Sequence, residues 1–335
     1  MADFTKNFGA NYWCSAIGGN DNGHDPSDGI VIKSGVIYAG TTSADDCTAI
    51  GGGGNEYGGV TIEGGTVTAV SASTGTAIGG GIGWGSQGGD ANVLISGGTV
   101  YAYNHGIGPD SGKYTSFVPA VAIGGGSADT NSGNKNTTVT ITGGFVYAQS
   151  VGGAAIGGGG SGTKTGGIAT VNIESGTVIA KSVGGTVNYH KGNNMNHTEE
   201  ISPGASIGGG TGNTGGGSVT LNVSEKNGSK TILRTGSIGG GKTTGSGNIG
   251  SANVTITGGD ITGQVIMAGG AANKCTFEMS GGRIHDTNVI DGNDIKDIAD
   301  PQPTAKIQYL QKNGGAVWMS DTIGETTITG GTIEN

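Results

Sequence analysis

The segment GSIGGGKT, from Gly236 to Thr243, matches the phosphate-loop pattern G-x-x-x-x-G-K-[ST] at every position. Such a loop binds nucleotides when it follows a buried strand and opens a helix, because backbone N–H groups and the helix dipole then surround the phosphates. The residues that follow, TGSGNIGS, predict a glycine-rich corner rather than a helix, and no acidic residue is placed to hold Mg²⁺. We therefore expect no nucleotide cofactor and interpret the match as one copy of a glycine-rich repeat.

Three carboxylates near the N-terminus could supply oxygen ligands for Ca²⁺, namely Asp21, Asp25 and Asp28 in IGGNDNGHDPSDG. The segment lacks the nonapeptide period Gly-Gly-x-Gly-x-Asp that is typical of calcium-loaded β-rolls. A solvated corner with Asx turns is therefore the favoured interpretation, and a Ca²⁺ site is the alternative. The five His residues show no metal-ligand spacing.

Aromatic rings, imidazoles and carboxylates are concentrated in segments that interrupt the repeat. Sugars are recognised by ring stacking together with hydrogen bonds to their hydroxyls, so these residues predict a glycan site. The expected glycan-binding residues are Tyr103, His105, Tyr114, Phe117, Tyr189, His190, His197 and Trp84. Glycoside hydrolysis needs two carboxyl groups, one of them protonated. The catalytic candidates, if the protein is an enzyme, are Asp45, Asp46, Asp110, Glu199 and Glu200.

The elements that must position these residues come from one repeated unit with two motifs. The first is [AS]-I-G-G, which begins at Ala16, Ala49, Ala77, Ala122, Ala155, Ser206 and Ser237, with a degenerate copy, MAGG, at Met267. The second is V-x-I-x-[GS]-G-x-V-x-A, as in VTIEGGTVTA at Val60 and VTITGGFVYA at Val139. The base unit is about 28 to 33 residues long, and two copies carry long insertions.

Apolar and polar residues alternate strictly on both sides of the glycine pair, which is the period of a β-strand. The glycine pair permits a sharp bend between two strands, and no segment shows helical periodicity. Units this small bury an apolar face only by stacking on one another. The sequence therefore predicts an all-β fold: a β-solenoid, specifically a right-handed parallel β-helix of about eight to nine coils, forming one domain over residues 1–335.

The insertions at 103–120 and 186–204 leave the same corner of coils that are two apart. Stacked strands lie about 4.8 Å apart, so these insertions should stand about 10 Å apart and form a cleft on the flank of the solenoid. Loops on a rigid scaffold commonly carry function, although surface decoration is the alternative. The segment 286–311 breaks the repeat and is interpreted as an irregular insertion or an end cover.

A second candidate surface is the outward face of the strands that follow the glycine pair. We expect one column of Tyr38, Thr68, Tyr101, Tyr147 and Ile179, and a neighbouring column of Val36, Thr66, Thr99, Phe145 and Thr177. A flat array of threonine and aromatic side chains can lie along a polysaccharide. Ordinary β-propensity on a half-exposed sheet is the alternative explanation.

The two cysteines Cys14 and Cys47 precede consecutive copies of the first motif by the same interval, so they should lie on neighbouring coils. A disulfide and two stacked thiols are both compatible with that spacing. The third cysteine, Cys275, is expected to be buried.

Composition restricts the class of partner. The chain of 335 residues contains 76 Gly and carries a formal net charge of −9. Binding to nucleic acid or to an anionic membrane requires clustered Lys and Arg, so neither partner is expected. No apolar run is long enough to span a bilayer. The chain starts without a signal core and ends within a repeat, so we expect an excised piece of a longer protein. We also expect this module to be monomeric.

The repeats AIGGG and VTISGGTV resemble the glycine-rich β-helix segments of large surface proteins from Gram-positive gut bacteria. The late segment 314–335 is similar to repeats of extracellular β-helix adhesins. The resemblance implies an extracellular or cell-surface location and an association with carbohydrate binding or adhesion. Related right-handed β-helices include pectate lyases, polygalacturonases and other glycoside hydrolases, but no motif carries catalytic residues over from them. Three hypotheses remain: a carbohydrate-binding module, which is preferred, a glycoside hydrolase using the same cleft, and a passive stalk.

Overall fold

The computed structural model describes residues 15–19, 29–41, 47–71, 74–83, 86–106, 118–129, 131–191, 194–267, 275–285, 317–319 and 324–334. Within this part of the chain the protein is all-β, with strands β1 to β27 and no helix. The V-x-I motifs form a parallel sheet of nine strands stacked in chain order. Its strands are β2 (Ile30–Ile32), β5 (Gly58–Ile62), β8 (Ala91–Ile95), β11 (Thr137–Ile141), β14 (Ala169–Ile173), β19 (Val219–Val223), β21 (Ala252–Ile256), β23 (Cys275–Met279) and β26 (Gly324–Ile328).

The strands after the glycine pair form a second parallel stack, again in chain order. They are β3 (Val36–Gly40), β6 (Thr66–Ser71), β9 (Thr99–Asn104), β12 (Phe145–Val151), β15 (Gly176–Val183), β20 (Thr231–Gly239), β22 (Asp260–Met267), β24 (Arg283–His285) and β27 (Thr332–Glu334). We call its outward surface, which carries Tyr38, Tyr101, Phe145 and their neighbours, the tyrosine face.

The I-G-G motifs form a third parallel stack, which we call the glycine face. Its short strands are β1 (Ile17–Gly18), β4 (Ile50–Gly51), β7 (Ile78–Gly79), β10 (Ile123–Gly124), β13 (Ile156–Gly157), β18 (Ile207–Gly208) and β25 (Val317–Met319). Strands β20 and β22 are long enough to pair in both the second and the third stack. Three parallel stacks that follow chain order are the arrangement of a β-solenoid, as the repeat predicts.

The core is built from identical positions of successive coils. Ile50, Ile78, Ile123 and Ile156 pair in register, and each is 0% exposed. Burying one such side chain stabilises the fold by about 1.5–3 kcal/mol. The small residues predicted for the interior are also buried, because Ala69, Ala102, Ala148 and Ala180 form one column at 0% exposure.

The first glycine of the I-G-G motif is required by the stacking. Gly124 has a φ of +145°, and a Cβ placed on it would lie 1.9 Å from the carbonyl oxygen of Gly157 in the next coil. Any side chain at this position would therefore separate two coils. At this position the coils therefore contact one another through buried backbone alone.

One predicted repeat copy was misplaced. The sequence assigns the eighth I-G-G position to MAGG, beginning at Met267, but the strand pairing places Val265 opposite Ile238 and Ile266 opposite Gly239. The register shifts between Arg234 and Ser237, so the coil around β22 is shorter than the motif spacing suggests. The copy is therefore Gln264–Val265–Ile266, and the glycine is replaced by isoleucine.

The insertion 186–204 contains a feature that the repeat did not predict. Strands β16 (Gly185–Lys191) and β17 (Asn194–Ile201) form an antiparallel hairpin, with a register irregularity between Tyr189 and Lys191. Only the backbone is described for residues 186–191 and 194–197. Residues 107–117 of the insertion 103–120, and the segment 286–311, lie outside the described residues, so their assignment stays a prediction. Cys14 also lies outside them, while Cys47 and Cys275 are buried.

Candidate functional site

The two columns predicted for the tyrosine face are in register. Tyr38 pairs with Thr68, Thr68 with Tyr101, Tyr101 with Tyr147, and Tyr147 with Ile179. The neighbouring column runs through Val36, Thr66, Thr99, Phe145 and Thr177 in the same order. Because paired residues of a parallel sheet point to the same side, these side chains share one surface.

Aromatic rings from adjacent strands contact one another on this face. The ring centroids of Tyr101 and Phe145 lie 6.0 Å apart at an interplanar angle of 58°, and both residues are half-buried. The rings of Tyr103 and Tyr147 lie 5.5 Å apart. These separations are typical of stabilising aromatic pairs. The rings therefore form a rigid patch across two strands.

The patch has an exposed side and a covered side. Tyr38 is 56% exposed, whereas Tyr103 and Tyr147 are each 4% exposed. The hydroxyl of Tyr147 donates a hydrogen bond to Oε1 of Gln149 at 2.7 Å, and Nζ of Lys181 lies 5.7 Å from the Tyr147 ring centroid. Tyr103 and Tyr147 thus support the patch, and Tyr38, Tyr101 and Phe145 offer rings to a ligand.

Half-buried threonines lie between the rings. They are Thr66, Thr68, Thr99 and Thr177. A threonine hydroxyl both donates and accepts a hydrogen bond. The central part of the tyrosine face therefore alternates apolar ring surface with neutral hydroxyls along the solenoid axis.

Toward the last coils the same face becomes charged. Oδ1 of Asp260 lies 2.6 Å from Nε2 of His285, and Oδ2 of Asp260 lies 3.4 Å from a guanidinium nitrogen of Arg234. Oγ1 of Thr262 lies 3.3 Å from the same nitrogen of His285. Arg283 forms an ion pair with Glu334.

The charged contacts fix the ionisation of Asp260. Desolvation alone would raise the pKa of this carboxyl. The hydrogen bond from His285 and the positive charge of Arg234 outweigh that effect, so the pKa of Asp260 lies below its ordinary value. Asp260 is therefore a carboxylate at neutral pH, suited to accept hydrogen bonds rather than to donate a proton.

The predicted flank residues are only partly described. His105 is half-buried, and its backbone N–H donates to the carbonyl oxygen of Ser71 at 3.0 Å. The hairpin places Tyr189 opposite His197, and Glu199 and Glu200 opposite Val187 and Thr186. Glu199 is half-buried and Glu200 is exposed. His190 belongs to the same hairpin.

The two predicted insertions follow β9 and β15, and these two strands lie on either side of β12. The insertions therefore leave coils that are two apart, as the repeat spacing predicts. The other predicted residues lie outside the described part of the chain, so their roles stay predictions. They are Asp21, Asp25, Asp28, Asp45, Asp46, Trp84, Asp110, Tyr114 and Phe117.

The sequence prediction missed the charged end of the tyrosine face. The motifs ILRTG, DITG, RIH and TIE occupy the positions that TVYA occupies in earlier coils. The column that ends at Ile179 continues through Arg234, Thr262 and His285. The neighbouring column continues through Asp260 and Arg283, so extending both columns through the looser copies would have predicted this end of the face.

The phosphate-loop match is a strand and a corner, as the repeat predicts. Gly236 to Gly239 end β20, and Lys242 and Thr243 lie in the corner that follows. Thr243 Oγ1 donates to the carbonyl oxygen of Asn213, and its backbone bridges to Gly212 in the preceding coil.

In the part of the chain that the structure describes, no group of three or more His, Cys, Asp or Glu residues is arranged to hold a metal ion. Among the same residues, no helix is long and apolar enough to cross a membrane. Comparisons with protein-family models, with curated proteins and with solved structures found no match.

Proposed function

We propose that this chain is an extracellular carbohydrate-binding module, built as a right-handed parallel β-helix, which binds an extended glycan along its tyrosine face. The observation that carries the proposal is the in-register array of Tyr38, Tyr101 and Phe145 with threonines between them. The right-handed sense rests on the strong preference of parallel crossover connections for that hand.

The chemistry of the face suits a neutral sugar chain. A pyranose ring has an apolar side that stacks on an aromatic ring, and hydroxyls at its edge that bond to polar side chains. The rings of Tyr101 and Phe145 lie on adjacent strands, about 4.8 Å apart along the axis. Successive sugars of a chain lying along the axis would thus meet rings and the hydroxyls of Thr66, Thr68 and Thr99 in turn.

The rigidity of the face favours binding. Tyr103 and Tyr147 pack against Tyr101 and Phe145 in one hydrophobic cluster, and the strands are fixed by ladders on both sides. A surface that is already ordered loses little conformational freedom on association. The hairpin of β16 and β17, with Tyr189 opposite His197, lies after β15 and would form one wall of the predicted flank cleft beside this face.

The alternative function is a glycoside hydrolase that uses a carboxylate pair in the flank cleft. Its candidate residues with described side chains, Glu199 and Glu200, belong to the hairpin, and Glu200 is exposed. A general acid needs a raised pKa, which burial commonly provides. Glu200 lacks such burial because it is exposed, whereas Glu199 is half-buried.

The first experiment is a glycan array probed with the purified chain, followed by product analysis on every glycan that binds. We expect binding without cleavage. Tyr101→Ala and Phe145→Ala should each weaken binding about tenfold or more, because a truncated aromatic anchor commonly costs more than 1 kcal/mol. Thr140→Ala, on the opposite sheet, is the matched control and should bind like wild type.

Three results would decide against the proposal. Turnover that is lost in Asp45→Asn or Asp110→Asn, with the fold intact, would establish the hydrolase. Binding that survives both aromatic substitutions would move the site away from the tyrosine face. No binding to any glycan would leave the passive stalk.

A further inference from the structure

A pocket lies on the glycine face, beside the corner at which the insertion 186–204 ends. Its interior volume is about 160 Å³, and it opens to solvent between the corner before β18 and strand β22. Its side chains include those of Pro203, Ala205, Ile238, Lys242, Ile249 and Ile266. A volume of this size suits the body of one small ligand, since an apolar cavity of about 150 Å³ binds benzene.

The pocket exists because one coil departs from the repeat. Ile266 pairs with Gly239 and so occupies the position that earlier coils fill with glycine. A branched apolar side chain therefore stands where the earlier coils have no side chain. Ile249, which is 41% exposed, adds further apolar surface to the lining.

Among the described residues that line the pocket, Lys242 is the one cationic residue. Within the described residues its ammonium group has no hydrogen bond and no ion pair, whereas Lys226 pairs with Glu174 at 2.8 Å. Lys242 is half-buried, and desolvation lowers its pKa. Removing water from an ammonium group that has no anionic partner is unfavourable. A bound carboxylate would offset this cost by accepting a charge-assisted hydrogen bond.

We propose that this pocket binds a small carboxylate with an apolar body, that is, an aliphatic or aromatic monocarboxylate. Its carboxylate would accept a hydrogen bond from the ammonium of Lys242, and its body would cover Pro203, Ile249 and Ile266. The site is independent of the glycan-binding proposal.

A sugar acid fits this lining poorly. Within the described part of this lining, Ser237 carries the only polar side chain besides Lys242, and Ser237 is 2% exposed. The hydroxyls of a uronic acid would lose water without finding partners, at a cost of about 1–3 kcal/mol for each buried group. The apolar lining therefore selects a ligand whose single polar group is its carboxylate.

The test is an isothermal titration of the full chain with octanoate below its micelle-forming concentration, and with octanamide as the uncharged analogue. We expect saturable octanoate binding, and octanamide binding that is roughly tenfold or more weaker, because a charge-assisted bond is lost. Lys242→Met should weaken octanoate binding by a similar factor, and Lys242→Arg should retain most of it. Lys164→Met is the matched control, since Lys164 is exposed and lies in the equivalent corner two coils earlier.

Several outcomes would overturn the proposal: no saturable binding of octanoate, equal affinity for octanamide, unchanged affinity in Lys242→Met, or preferential binding of glucuronate. Circular dichroism of each variant confirms that it is folded. If Lys242→Met does not fold, the octanoate and octanamide affinities of the wild-type chain decide the question.

Discussion

Replacing Gly124 by alanine tests the coil stacking on which the whole account depends. The φ of Gly124 is +145°, and a Cβ there would lie 1.9 Å from the carbonyl oxygen of Gly157. That oxygen also accepts a hydrogen bond from the backbone N–H of Gly125 at 3.0 Å. The substitution therefore strains the backbone and displaces an inter-coil hydrogen bond at the same time.

The two effects give the expected magnitude. A non-glycine residue in a sparsely populated backbone region costs about 1–3 kcal/mol. Leaving a buried acceptor without its donor costs about 1–3 kcal/mol more. Gly124→Ala should therefore lower the free energy of unfolding by about 2–6 kcal/mol.

Two other glycines separate the contributions. Gly228 has a φ of +73°, and no atom lies within 4 Å of the point that an added Cβ would occupy, so Gly228→Ala should cost only the conformational strain, about 1–2 kcal/mol. Gly185 has neither a positive φ nor a neighbour within 4 Å, so Gly185→Ala should change stability by less than about 0.5 kcal/mol.

The assay is urea unfolding followed by far-ultraviolet circular dichroism, with stability compared through the midpoints and a common slope. The expected order of destabilisation is Gly124→Ala, then Gly228→Ala, then Gly185→Ala. If Gly124→Ala is no less stable than Gly228→Ala, the coils are not stacked as closely as the structure places them, and the reasoning is refuted.

Three further predictions concern the core, the charged end and a buried cysteine. Ile156→Ala should destabilise by about 2–5 kcal/mol in the same assay because Ile156 is 0% exposed, whereas Ile168→Ala, at 49% exposure, should stay within about 0.5 kcal/mol. The pKa of Asp260 is lower in the folded chain than its ordinary 3.8. Wild type should therefore have a larger free energy of unfolding than Asp260→Asn near neutral pH. This difference in free energy should vanish as the pH falls below 3.8, because the carboxylate is then protonated. A difference that does not depend on pH would contradict the prediction. Cys275 is 0% exposed, so iodoacetamide should modify its thiol only after the chain unfolds, and mass spectrometry would detect the modification. Rapid labelling of the native chain would show instead that the last coils open.

The fold was largely predictable because the repeat is local and periodic. Strict alternation around Val60 and Ile62 specifies which side chains face inward, and the repeated alanine and glycine positions specify the register between coils. The columns through Tyr101 and Tyr147 followed from that register alone. Periodicity gave no information on the hairpin of β16 and β17, because these two strands pair with each other and not with an equivalent strand of the next coil.

The site was predictable only where the motif is intact. Ile266 takes a glycine position through a register shift of the coil, which no local motif reveals. For the same reason Asp260 and His285, which come from looser copies, were not brought together from the sequence, although their side chains lie 2.6 Å apart. The pocket at Lys242 was not predictable either, because its lining comes from the corner before β18 and from strands β20 and β22, which are distant in sequence.

The most direct test of the central claim is a calorimetric titration with the best glycan from the array. It compares wild type with the double variant Tyr101→Ala/Phe145→Ala and with the control double variant Thr140→Ala/Asn172→Ala on the opposite sheet. If the tyrosine face binds the glycan, the first double variant should lose nearly all measurable affinity while the control stays within about twofold of wild type. Equal losses in both variants, or none in the first, would contradict the claim.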